Sequence, residues 1–127
     1  MRRRTSRDAD PVQIRCLIVD DNAPFLDAAR LLLEREGVAV VGVATTSAEA
    51  LRLEEELRPD VVLVDIQLGD ESGFNLARRL SGTVILISTH AQSEYAEEIA
   101  ASPAAGFIAK AELSASAILR LVGGPSD

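Results

Sequence analysis

Apolar residues are spaced along this chain in two alternating rhythms. Nearly unbroken apolar runs stand at Cys16 to Val19, Val38 to Ala44, Val61 to Val64, Val84 to Ile87 and Phe107 to Ala109. Between them, apolar positions recur every three or four residues, the period of a helix with one buried face. The first such stretch, about Pro24 to Glu36, puts Phe25, Leu26, Ala29, Leu32 and Leu33 on one side, with Asn22 as a candidate N-cap and Gly37 as a stop. The second opens at Thr46 with Glu49 in capping-box spacing, carries Ala50, Leu53 and Leu57 inward, and halts before Pro59. After a polar loop from Asp65 to Ser72, a short helix is predicted from about Gly73 to Leu80. A fourth follows from about Ser93 to Ala101, and a fifth from about Ser114 to Val122, ended by Gly123-Gly124-Pro125.

Strands that are apolar throughout, rather than alternating, are buried on both faces, as in a parallel sheet covered by helices on each side. The fold class read here is α/β. Five β-α units are too few for an eight-stranded barrel and fit an open, doubly wound, five-stranded parallel sheet. A chain of 127 residues has room for one domain, placed at 14–122, with a flexible basic tail at 1–13 and a C-terminal tail or linker stub at 123–127. The longest apolar runs fall far short of the roughly 20 residues that cross a bilayer, and no apolar stretch follows the basic start as a secretory signal requires.

Charge narrows the partners. The chain holds 13 Lys+Arg against 20 Asp+Glu, a net of -7; the first thirteen residues take four Arg and two Asp, so the body carries about -9. That excess repels polyphosphate and anionic lipid, so no direct nucleic-acid or membrane partner is expected, and small cations are favoured. The single cysteine, Cys16, lies in an apolar run and reads as inert, buried and suited to a reducing, cytoplasmic compartment.

In an open α/β sheet, ligands sit beyond the carboxyl ends of the strands. Strand 1 ends in Val19-Asp20-Asp21 and strand 3 in Val64-Asp65, so if these strands are neighbours three carboxylates converge. Like charges so close repel unless a cation offsets them, and an all-oxygen donor set favours hard Mg²⁺. Strand 4 ends in Ser88-Thr89 and strand 5 in Lys110, the only lysine of the chain. A nucleophile candidate, a metal cage, a hydroxyl and a point cation on one edge are the parts needed to move a phosphoryl group onto a carboxylate.

Four motifs in order carry a resemblance: Leu17-Ile18-Val19-Asp20-Asp21-Asn22; Val62-Leu63-Val64-Asp65-Ile66-Gln67-Leu68 with Gly73 eight residues after Asp65; Ile85-Leu86-Ile87-Ser88; and Gly106-Phe107-Ile108-Ala109-Lys110. Together they resemble the response-regulator receiver domains of bacterial two-component signalling, over about Ile14 to Val122. The resemblance implies a flavodoxin-like strand order 2-1-3-4-5 and a phosphoacceptor, Asp65, supplied by a sensor histidine kinase or histidine phosphotransfer protein. It implies Mg²⁺ held by Asp20, Asp21, Asp65 and the Gln67 backbone carbonyl, with Ser88 and Lys110 binding phosphoryl oxygens. It further implies a Ser88–Phe107 switch read by a downstream protein through the helix 4, strand 5 and helix 5 face, and no enzyme activity beyond the domain's own phosphotransfer and dephosphorylation.

Some positions depart from the common receiver pattern: Gly69 and Ala111 stand where proline is frequent, and Pro103 where glycine is usual. Thr89, with Gln67 and His90, is expected to tune the lifetime of the acyl phosphate by restricting water. Each residue also has a plainer reading. Asp20-Asp21 could cap a helix, Asp65 could be a turn residue, Ser88 a loop cap, Lys110 solvated, Phe107 core and His90 an ordinary loop residue. The overall expectation is a stand-alone receiver with output by protein contact; homodimer formation stays open. The alternatives are a receiver-like interaction module insensitive to phosphorylation and a flavodoxin-like or phosphatase-like small-molecule enzyme.

Overall fold

Five strands, β1 (Arg15–Val19), β2 (Ala39–Ala44), β3 (Val61–Asp65), β4 (Val84–Ser88) and β5 (Gly106–Ala109), stand side by side in the order β2-β1-β3-β4-β5. Every adjacent pair is parallel, as expected from the apolar runs. The structure, a computed structural model, describes residues 13–122; apart from Gln13, the predicted tails lie outside the described residues. Each strand is followed by a helix: α1 (Ala23–Arg35), α2 (Ser47–Leu57), α3 (Gly73–Arg79), α4 (Ala96–Ala101) and α5 (Ala115–Leu121).

Period-two alternation along each strand sorts the core into two layers. Cys16, Ile18, Val61, Leu63, Ile85, Ile87 and Ile108 face one way and meet Leu26, Ala29 and Leu33 of α1 with Ala117 and Ile118 of α5. Leu17, Val19, Val62, Val64, Val84 and Leu86 face the other way and meet Ala50 of α2 and Leu76 and Ala77 of α3. Cys16 is fully buried, and burial pushes its thiol up to about 12, so it is chemically quiet. Among the described residues, no helix is long and apolar enough to cross a membrane.

Element boundaries follow the predicted signals, with three local differences. Asn22 caps α1, its Oδ1 accepting from the Phe25 N–H at 3.0 Å. Thr46 caps α2, but Glu49 returns to the N–H of Thr45 (2.9 Å) rather than to that of Thr46, a box shifted by one residue. The fourth helical stretch starts as a 3-10 turn at Gln92–Tyr95 with no side-chain cap, and neither that turn nor α4 has a fully buried residue. The loop read from Asp65 to Ser72 contains a small antiparallel hairpin, Gln67–Leu68 against Glu71–Ser72, turning at Gly69 with φ +61°. A positive φ is open to glycine and strained for a proline, whose ring fixes φ near -65°.

Glu54 on α2 was not singled out by its pattern, yet it is buried. Its carboxylate accepts from the Ser81 N–H (3.0 Å), the Ser81 hydroxyl (3.2 Å) and the Gly82 N–H (2.8 Å), pinning α2 to the turn before β4. A polar side chain on the inward face of a helix is invisible to a search for apolar periodicity.

Candidate functional site at the carboxyl edge of the sheet

Parallel register delivers the predicted residues to one place. Val19 pairs with Val64, so Asp20 and Asp65 each follow a paired residue on neighbouring strands. Asp65 pairs with Ile87, which brings Ser88 one residue further along, and Ser88 pairs with Ala109, which sets Lys110 at the same edge. The alternation then aims the side chains: Asp20 and Asp65 continue the α1–α5 side of their strands, and Ser88 continues the opposite side. A cleft of about 310 Å³ opens there, lined by Asp20, Asp21, Asp65, Gln67, Ser88, Thr89 and Lys110 together with Asn22 and Gly69. His90 and Phe107 do not line it. His90 donates its backbone N–H to Ser88 Oγ at 3.0 Å, and Phe107, half-buried, packs on the α2–α3 side of the core, which is its plainer reading.

The electrostatics of this cleft are unbalanced. Asp20 is fully buried and Asp65 nearly so, while Asp21 is exposed, and one carboxylate oxygen from each falls within 4.8 Å of the other two. Among the described residues Lys110 is the one cation paired with them, with Nζ 2.5 Å from Asp20 Oδ2 and 3.5 Å from Asp65 Oδ2. Among the described residues Asp20 Oδ2 receives no aligned hydrogen bond, and the Lys110 ammonium is its ion-pair partner. Asp20 Oδ1 accepts from the Asn22 N–H at 2.8 Å, and Asp65 Oδ1 from the Gln67 N–H at 3.3 Å. Burial pushes the Asp65 carboxyl up to about 6, helped by the charge of Asp20 and opposed by Lys110 and the Gln67 N–H. A buried orphan oxygen, three converging acids and an all-oxygen donor set fit a hard divalent cation.

Two glycines shape the cleft. A Cβ on Gly73 would lie 2.1 Å from the Asp65 carbonyl oxygen, so only glycine lets the start of α3 pass this close to the end of β3. Gly69, in the hairpin turn, brings its backbone to the rim, where a Cβ would sit 3.4 Å from Asp21 Oδ2. Sequence reading missed one contact here: the ammonium of Lys110 lies over the ring of Phe25, 4.4 Å from its centroid. Phe25 looked like one more apolar position of α1, although its place just after Asp20-Asp21-Asn22 was the available signal. A larger cavity, about 520 Å³, opens at the amino ends of β3 and β4, but Glu54 there is already engaged by Ser81 and Gly82.

An open parallel sheet in the order 2-1-3-4-5, with acids and a lysine gathered at its carboxyl edge, defines an α/β module of the flavodoxin-like fold. The chain belongs to the response regulator receiver domain family, whose pattern matches residues 16–122. It is similar to the DNA-binding transcriptional activator EvgA of Escherichia coli (strain K12), at 28% identity over 101 residues, covering 76% of this chain and 50% of EvgA. Among solved structures it resembles the signal receiver domain of NarL from Mycobacterium tuberculosis (30% identity, TM-score 0.78, covering 90% of this chain and 99% of that one). It also resembles a response regulator from Burkholderia pseudomallei solved with a phosphorylated aspartic acid, a calcium ion and citrate (27% identity, TM-score 0.74, covering 86% and 66%).

Receiver domains of this family work between kinases and downstream effectors and are not enzymes in the ordinary sense. The chain spans about half the length of the curated relatives it matches. The expectation of a stand-alone receiver without nucleic-acid output is at odds with these relatives, because EvgA is a DNA-binding activator. The acidic charge of a receiver repels DNA locally, but net charge of one domain does not report what a longer protein of the family carries beside it.

Proposed function

We propose that this chain is a phosphoacceptor receiver in which Asp65 takes a phosphoryl group from the phosphohistidine of a sensor kinase or a histidine phosphotransfer protein. One observation carries the reading: Asp65 stands nearly buried beside a second buried carboxylate, with the Lys110 ammonium reaching both. Asp65 Oδ attacks phosphorus in line, the phosphorus–nitrogen bond to the donor imidazole breaks, and the imidazole nitrogen keeps the bonding pair and takes up a proton. Asp20, Asp21 and Asp65, with the Gln67 carbonyl, are the residues that would hold Mg²⁺, which when bound neutralises charge on the phosphoryl oxygens. Lys110 and Ser88 offer an ammonium and a hydroxyl to those oxygens. Gln67 and Thr89, which line the cleft, and His90, whose backbone N–H meets Ser88 Oγ, would govern the approach of hydrolytic water.

Transfer would draw Ser88 Oγ from the His90 N–H toward the new phosphoryl group, and Phe107, two residues before Ala109 on the neighbouring strand, would repack. The loosely packed 3-10 turn and α4 are the elements such a change can move, for the benefit of a protein partner on the α4–β5–α5 face. Action in the cytoplasm accords with this reading, since response regulators take their phosphoryl groups there.

Intact mass after incubation with Mg²⁺ and acetyl phosphate or phosphoramidate tests the reading. Wild type should gain one phosphoryl group and Asp65→Asn none. An adduct of equal yield in both would remove Asp65 as acceptor, and no adduct in wild type would favour a phosphorylation-insensitive interaction module.

A further inference from the structure

We infer that Phe25 is a positioning residue for Lys110, holding the ammonium over the cleft through the face of its ring; the inference rests on the phosphoacceptor reading above. Lys110 Nζ is 4.4 Å from the Phe25 centroid, within the range where a cation is attracted by the negative face of an aromatic ring. The side chain of Lys110 is 12% exposed, so little water screens that attraction. Phe25 in turn is set by the cap of α1. Its N–H donates to Asn22 Oδ1 at 3.0 Å, and the Asn22 N–H donates to Asp20 Oδ1 at 2.8 Å. Ring and carboxylate are therefore tied through Asn22 to the same turn, Asp20 to Phe25, and both reach the ammonium.

The geometry gives the ring a task that the carboxylates cannot perform. The oxygen nearest the ammonium, Asp20 Oδ2, is also the orphan oxygen best suited to a divalent cation, and it cannot serve both fully. A lysine released from Asp20 has a flexible four-carbon stem and no fork geometry to hold it. The Phe25 ring attracts the ammonium without a fixed direction, so Nζ can shift between Asp20, Asp65 and incoming phosphoryl oxygens while staying at the edge of the sheet. Phe25 also packs against the α1–α5 core, which limits its own movement. Loss of such a contact should slow transfer about three- to tenfold, the range that a partly desolvated cation–ring contact supports.

Because Lys110 is the only lysine, lysine labelled at Cε gives one signal in the full chain. In Mg²⁺ without phosphodonor, the ring current should place the Lys110 Hε protons upfield of an exposed lysine in wild type and Phe25→Tyr, and return them to the exposed position in Phe25→Leu. With acetyl phosphate, Phe25→Leu should lower the maximal rate of adduct formation about three- to tenfold. Its KM for acetyl phosphate and its Mg²⁺ affinity should stay within about twofold of wild type, and Phe25→Tyr should match wild type. A wild-type rate or an unmoved Hε signal in Phe25→Leu would overturn the inference, as would an equal loss of rate in Phe25→Tyr. Those results leave the phosphoacceptor reading standing, whereas a wild type that forms no Asp65 adduct removes both.

Discussion

Buried carboxylates occupy opposite edges of the same sheet, and they are treated in opposite ways. At the amino edge, Glu54 meets three donors, two of them backbone N–H groups of the turn at Ser81 and Gly82, and its charge is absorbed into the fold. At the carboxyl edge, Asp20 and Asp65 face each other and Asp21 with one ammonium among them, and an oxygen of Asp20 is left without an aligned donor. A buried carboxylate with its donors in place stabilises the structure; two crowded carboxylates with a single ammonium beside them leave charge that a cation would stabilise. The size of the two clefts points the wrong way, since the larger one lies beside the spent carboxylate.

Substitutions can break this contrast. The largest effect is expected at Gly73, where Ala would drive a Cβ to within 2.1 Å of the Asp65 carbonyl oxygen. Gly73→Ala should cost about 3 kcal/mol or fail to fold, read by urea denaturation, because backbone rather than a flexible side chain blocks the methyl. A loss below about 1 kcal/mol would mean that the end of β3 yields easily. Next, Glu54→Ala should cost about 2–3 kcal/mol by leaving the Ser81 and Gly82 N–H groups without their acceptor, with phosphorylation by acetyl phosphate still proceeding in the folded protein.

Asp65→Asn should do the reverse of Glu54→Ala when a chelator keeps divalent cations away. Folding raises the Asp65 carboxyl to about 6 from an ordinary value of 3.8, so the folded state holds its proton more tightly than the unfolded chain. Between about pH 4 and pH 6 stability therefore falls as pH rises, and above about pH 6 the ionised group carries its full penalty. Asp65→Asn should be more stable than wild type at pH 7–8 by about 1–2 kcal/mol after solvent screening, and the difference should vanish near pH 4. Thermal melts across that range decide it; a gain that persists unchanged at pH 4 would assign the effect to something other than charge.

The contrast sharpens with Mg²⁺. At about ten times its dissociation constant the ion should raise wild-type stability by about 1.4 kcal/mol and leave Asp20→Asn and Asp65→Asn nearly unmoved, since stabilisation follows occupancy of the folded state. Glu54→Gln should respond like wild type. The smallest effects belong to the rim: alanine at Gln67, Thr89 or His90 should change the rate of acyl phosphate loss a few-fold without altering adduct yield at saturation. Unchanged rates in all three would remove the water-gating role given to them.

Much of the site was legible from residue order because strand ends are legible. Once Cys16 to Val19 and Val61 to Val64 read as neighbouring parallel strands, Asp20 and Asp65 had to share an edge, and register brought Ser88 and Lys110 to it. What stayed hidden were contacts between side chains that no period predicts. Glu54 occupies an inward helical position reserved by pattern for apolar residues, and Phe25 was counted as core although its ring also faces a cation. The hairpin at Gln67 to Ser72 is two residues per strand, too short for alternation to mark it.

The order of apolar runs and helical stretches by itself determined the α/β class, the parallel sheet and the edge at which acids, hydroxyl and lysine gather. It could do so because burial on two faces leaves a period-independent apolar signature and because parallel strands share one direction. Only the tertiary structure decided which carboxylates are satisfied and which are left in need, that Gly73 must lack a side chain, and that the Lys110 ammonium rests against Phe25. Those outcomes depend on distances of a few ångströms between residues far apart in the chain, where hydrogen-bond alignment and desolvation change sharply and sequence spacing carries no record of them.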